Sequence, residues 1–123
     1  MKTFLLAGVA AIALLMARPA SAHHGWDGYL DAEFEISGTV TMPISLAGPH
    51  AQLSIKGADG HVWTLLLAPP PMMAAAGLKD GMIAIGSRVI AHGHRHKDGD
   101  RYEVKTERLV WNGKTYNVYP GRA

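Results

Sequence analysis

Histidine supplies the most distinctive chemistry in this chain: it carries seven histidines and no cysteine. Two of them, His23 and His24, directly follow Ala20-Ser21-Ala22. Upstream lie a positive start at Lys2 and an uncharged apolar run from Phe4 to Met16. That order is the pattern of a secretory signal peptide, with cleavage expected after Ala22. Cleavage makes His23 the first residue. A terminal histidine offers a metal two donors, its α-amine and its imidazole. His24 adds a second imidazole, and the amide between the two is a further donor. Nitrogen donors in a planar array suit Cu(II) above other divalent ions. The amino-terminal copper motif that needs histidine in third place is absent, because Gly25 stands there.

A second group is His92, His94 and His96. Alternate residues of a strand share a face, and a His-x-His pair on one face can hold a single metal, as three-histidine zinc sites do. Gly93 leaves room for a close approach. His50, after Pro49, and His61 are single candidates for a partner ligand. The expected metal set is therefore His23 and His24, completed by one of His50, His92 or His94. Thioethers suit Cu(I), but the adjacent Met72 and Met73 read as filling for a core.

Other chemistries lack their residues. Without cysteine there is no thiol nucleophile, disulfide or lipoprotein attachment. There is no Gly-rich phosphate loop and no G-x-S-x-G elbow. Ser37, Ser45, Ser54 and Ser87 stand in no catalytic motif, and the paired Glu33 and Glu35 lie in a polar entry segment. The chain does not read as an enzyme. The apolar run is also shorter than the roughly 20 residues that span a bilayer, so it reads as an address and not an anchor.

Removing residues 1–22 takes away Lys2 and Arg18 but no acid, leaving 101 residues with ten basic and ten acidic side chains. A nucleic-acid binder normally shows a basic excess, and none is present. The charges are uneven along the chain. Residues 23–85 carry two lysines against six acids, and residues 86–123 carry eight basic residues against four acids. About 100 residues make one domain with one modest core.

The elements that must position the histidines read as mostly β. Residues 23–34 form a polar-aromatic lead-in. From Glu35, Ile36, Gly38, Val40 and Met42 alternate with Ser37, Thr39 and Thr41, a strand expected to break at Pro43. Ala51, Leu53 and Ile55 alternate in a second strand. Ala58-Asp59-Gly60 turns the chain into a third, His61 to Ala68, whose Leu65-Leu66-Leu67 suggests burial on both faces. Pro69-Pro70-Pro71 ends it. Met72 to Leu78 reads as one or two helical turns capped by Gly77. Arg88 to His94 and Tyr102 to Val110 are the fourth and fifth strands. Asn112-Gly113 is the strongest two-residue hairpin signal, leading to a short strand, Thr115 to Val118. Five main strands with a helix between the third and fourth give the element order of an OB-fold, a partly open Greek-key barrel. The expected class is all-β, an OB-fold-like barrel of five or six strands spanning residues 35–119.

Several landmarks carry a resemblance. They are His23-His24-Gly25-Trp26, Ile36-Ser37-Gly38-Thr39-Val40, Pro49-His50, Trp63, Ala68-Pro69-Pro70, Gly77-Leu78, Glu107-Arg108-Leu109 and Asn112-Gly113-Lys114. In these the chain resembles a family of small exported bacterial proteins with no assigned function, whose processed members begin with His-His-Gly-Trp or a close variant. The resemblance covers nearly all of the mature chain. It implies a periplasmic OB-like barrel and brings no known reaction with it.

Two functional expectations follow. The first is a periplasmic or secreted metal-binding protein, with copper as the metal. The second is a non-catalytic OB-type module that binds a peptide, glycan or protein on a barrel face, with Trp26, Trp63, Trp111 and Tyr116 as contacts. Neither expects nucleic acid or a stable membrane anchor. The unpaired edge at Thr115 to Val118 is compatible with a monomer or a weak dimer.

Overall fold

The alternation that begins at Glu35 does form a strand, but a longer one than its punctuation suggests. The computed structural model describes residues 25–122, and the first strand, β1, runs Phe34–Ser45, straight through Pro43. Its pairing explains how. Against the second strand, β2 (Gln52–Gly57), the register slips between Val40 and Met42 and again between Met42 and Ser45. Each slip gives β1 one residue more than its partner, the arrangement of a β-bulge, and bulges are where a strand tolerates proline. The two extra residues also correct the expected facing. Val40 and Ile44 are buried, whereas Met42, expected on the inner face, is 55% exposed.

The remaining elements are β3 (Val62–Leu66), α1 (Pro70–Ala75), β4 (Arg88–Arg95), β5 (Glu103–Trp111) and β6 (Lys114–Asn117). β3 is shorter than expected and alternates: Trp63 and Leu65 point inward, and Leu66 is only half-buried. The prolines after it open a helix instead of only ending a strand. Pro70 sits in the first turn, where a missing N–H costs nothing, and Met72 and Met73 donate to Pro69 O. At the far end Gly77 has φ +85°. Gly77 N donates to Ala74 O and Leu78 N to Met73 O, a Schellman cap that needs the left-handed glycine.

β1 pairs antiparallel with β2 and β4, β2 with β3, β4 with β5, and β5 with β6. A short parallel pairing of β3 with β5, Thr64 to Leu66 against Glu103 to Lys105, closes the barrel. The result is a closed five-stranded barrel, β1-β2-β3-β5-β4, with β6 added beside β5. The fold is the expected one. Asn112 and Gly113 have positive φ (52° and 75°) and join Trp111 to Lys114, the type I′ geometry that the pair encodes. Val40, Leu53, Ile55, Leu65, Val89, Val104 and Leu109 fill the interior, joined by Met73 from α1. No helix among the described residues is long and apolar enough to cross a membrane.

The β2–β3 turn carries a pH-dependent contact. Asp59 accepts from the backbone N–H of His61 at 3.0 Å and from Trp63 Nε1 at 3.2 Å. The His61 backbone bond is the larger cause that holds its carboxyl below the usual range. A depressed carboxyl stabilises the fold above its unfolded value, and that contribution drains as pH falls through the folded one. Asp59→Ala is therefore expected to flatten the fall of Tm below about pH 4, read by thermal unfolding at stepped pH. An unchanged acid limb would contradict the assignment.

Candidate functional site

His23 and His24 lie outside the described residues, so the site is built from Gly25 onward. Gly25 O accepts a hydrogen bond from Lys105 Nζ. The Trp26 ring is held on several sides. The Arg122 guanidinium lies 3.9 Å from its centroid and Lys105 Nζ 4.7 Å. Tyr119 and His94 meet it edge-on at 5.1 and 5.7 Å. Cations over an indole are attracted by the ring quadrupole, more strongly where water is excluded. The chain then turns, with Tyr29 N donating to Trp26 O, Leu30 N to Arg95 O and Lys97 N to Gly28 O. Tyr29 bridges to His96 and donates its hydroxyl to Glu103. Burial first, then Glu103, pushes the Tyr29 phenol well above its ordinary value. The lead-in is thus bound to the end of β4 and the outside of β5.

That docking explains why charged residues of β5 are buried. Lys105 and Glu107 are each 4% exposed. Lys105 points away from the core, since Val104 points into it, but residues 25–29 cover it. Burial lowers the Lys105 ammonium from its ordinary value and Arg122 adds to this, while Glu103 opposes it. Glu107 is placed by a bulge. His92 faces Arg108 and the next pair is Gly93 with Thr106, so Glu107 is the extra residue. Its carbonyl takes Val118 N and Tyr119 N in place of a ladder partner. Its carboxylate takes Arg122 Nε and His94 Nε2, each at 3.1 Å, with Arg108 Nη1 at 4.0 Å. Glu33, His94, Glu107, Arg108 and Arg122 line an open cavity of about 500 Å³ beside Trp26.

The body histidines go to separate partners. His92 and His94 lie on the outer face of β4, alternating with buried Val89, Ala91 and Gly93, but they do not share a ligand position. His92 Nδ1 sits 3.4 Å from Glu35 Oε1. His94 uses both ring nitrogens, Nδ1 to Leu30 O at 2.8 Å and Nε2 to Glu107. Both partners are acceptors, so holding both bonds takes an N–H on each nitrogen. His96 follows the strand end, and its Nδ1 accepts from Asp98 N. His61 pairs with Asp59 and stacks on Tyr102 at 4.1 Å. His50 is half-buried and makes no side-chain hydrogen bond to another described residue. Burial, then the charge of Lys105, lowers its imidazole from the ordinary value. Among the described residues no group of three His, Asp or Glu stands where it would hold a metal ion.

The aromatic residues expected on one ligand face fall into three groups. Trp26 packs with Tyr119 and His94. Trp63 is 3% exposed and packs on Phe34 and Tyr102. Trp111 is half-buried beside Tyr116, which is itself in the core. Trp63 and Tyr116 alternate inward on their strands, so neither offers a ring face to a ligand from solvent. Lys105, Glu107, Tyr119 and Arg122 escape a sequence reading. The one hint is that Lys105 and Glu107 interrupt a strand whose other residues pack.

Comparison with known proteins agrees with the fold and adds no reaction. The barrel is similar to part of a solved structure described as the crystal structure of the ZRD-deleted mutant of TiaS in complex with agmatine. The TM-score is 0.52 at 14% identity, covering 70% of this chain and 26% of that one. At that identity the likeness concerns the fold, and this chain spans about a quarter of that protein's length. No curated protein matches the sequence. A model of a family of unknown function, DUF6152, matches residues 11–105, and the chain belongs to that family.

Proposed function

We propose that this protein is exported, cut after Ala22, and binds one copper ion through the resulting terminal His23 and His24. The observation that carries the reading is the clamp on Gly25 and Trp26. Lys105, Arg122, Tyr119 and His94 fix the two residues that follow the histidine pair. A free dipeptide tail pays ordering entropy on binding a metal, and a tail fixed at its root pays less. The α-amine and imidazole of His23 and the imidazole of His24 then supply nitrogen donors suited to Cu(II). The protein acts as a metal-binding or metal-handling module and not as a catalyst. A module binding a peptide or glycan through Trp63 and Tyr116 has less support, since both rings are in the core.

Native mass spectrometry tests this on the chain beginning at His23 with one equivalent of Cu(II). A single copper adduct is expected on that chain and none on the His23→Ala variant. An adduct retained at equal occupancy in the variant would overturn the assignment.

A further inference from the structure

We infer that the open cavity beside Trp26 is a binding site for a small, singly charged carboxylate. Arg108 and Arg122 hold the ligand, and Glu33 occupies the place it takes. The site is independent of the terminal copper reading.

The cavity measures about 500 Å³ and is lined by Glu33, His94, Glu107, Arg108 and Arg122. That is the size of a small-molecule site. The backbone brings the charges together by a bulge. Neighbours in an unbroken strand point to opposite faces, yet Glu107 and Arg108 reach the same opening, because the β5 bulge against His92 and Gly93 inserts Glu107 as an extra residue. Bulges re-aim side chains in this way and recur beside functional sites. Arg122 arrives from the far end of the chain, in a turn that its N–H closes on Tyr119 O.

Arg122 is fixed on two sides. Its guanidinium lies 3.9 Å from the Trp26 centroid, and its Nε donates to Glu107 Oε2 at 3.1 Å. The stack covers one face and the Nε bond uses one edge, which leaves the two Nη groups. Neither has an acceptor among the described residues. A planar fork of this kind matches the two oxygens of a carboxylate. Arg108 gives Nη2 to Glu33 at 2.8 Å, while its Nη1 stays 4.0 Å from Glu107 Oε1, beyond hydrogen-bond reach.

The charges fit the same ligand. Glu107 is buried and already accepts from His94 and Arg122. The Glu33 side chain is 49% exposed, and an exposed ion pair is worth little, so its carboxylate is displaced at small cost. With His94 donating from both nitrogens, Arg108, Arg122 and His94 outnumber Glu33 and Glu107 by one charge. That balance suits a singly charged anion over a doubly charged one.

The test titrates the isotope-labelled chain beginning at His23 with sodium benzoate, and separately with inorganic phosphate, at constant ionic strength. Nuclear magnetic resonance follows the arginine Nε–H signals. Benzoate is expected to shift those of Arg108 and Arg122 saturably, with a dissociation constant below about 10 mM, within reach of a ligand of that size. Arg108→Gln should weaken binding about tenfold or more, the worth of a charge-assisted hydrogen bond. Glu33→Gln should tighten it roughly two- to fivefold by removing the competing carboxylate. Arg88→Gln and Glu35→Gln make the same changes of net charge outside the cavity and should bind as the parent does. No saturable shift in the parent would overturn the site, as would a Glu33→Gln variant that binds no tighter than Glu35→Gln. Phosphate bound more tightly than benzoate would overturn the carboxylate assignment. A parent-like Tm for Arg108→Gln separates a lost site from a lost fold, and the gain expected in Glu33→Gln cannot come from a damaged fold.

Discussion

Replacing Gly93 with alanine is expected to lower the unfolding free energy by ~3 kcal/mol or more. A Cβ built at Gly93 would lie 2.0 Å from Lys105 O and 2.8 Å from Thr106 Cα. Both are backbone atoms of β5, so no side chain can swing aside. The clash falls at the bulge where β4 crosses β5, and β5 is the strand that closes the barrel onto β3. Relief would require parting a pair that carries Lys105 on one face and the core residue Val104 on the other. A domain of this size holds only about 5–15 kcal/mol in total, so a large share of it is at risk. Urea unfolding checks the prediction, read as a lower midpoint at similar slope. A loss under about 1 kcal/mol would mean that β4 and β5 approach less closely than described.

Glu107→Ala is expected to cost about 1–3 kcal/mol, because it leaves the buried His94 ring nitrogen without its acceptor while Arg122, 44% exposed, returns to water. Glu107 is the single carboxylate that His94 and Arg122 share. Without it Arg122 loses the bond that sets it over Trp26, and His94 loses one of its two anchors. The damage should therefore spread to the amino-terminal clamp, and the Trp26 contribution to fluorescence should change along with stability. Glu107→Gln keeps the shape and one acceptor oxygen and should lose less. Equal stability in Glu107→Ala and the parent would contradict the network.

The barrel was legible because each strand announces itself locally. Alternation marks β1 and β2. Asn112-Gly113 specifies its own backbone, and Gly77 supplies the one residue type that ends α1 cheaply. The site was less legible because it depends on register and on what covers an outer face. Nothing in Thr106-Glu107-Arg108 tells which residue is the bulged one. The slip appears only against His92 and Gly93. Lys105 reads as a solvated lysine until residues 25–29 are known to lie on it. The same ignorance of register made Pro43 look like a strand end. The histidines on β4 do share its outer face, but His92 meets Glu35 opposite it on β1 and His94 meets Leu30 O and Glu107, partners that spacing by two does not encode. His50 looked like a lone surface histidine because Lys105, the charge that acts on its imidazole, lies 55 residues further along the sequence.

The most direct test of the central claim is isothermal calorimetry of Cu(II) into two proteins, one beginning at His23 with a free α-amine and one in which that α-amine is acetylated. Both contain every histidine of the mature chain and differ in whether His23 has a free α-amine. Tight one-to-one binding in the first, lost in the second, is the predicted result. Equal affinity in both would show that the amine is not a ligand and would contradict the terminal copper site.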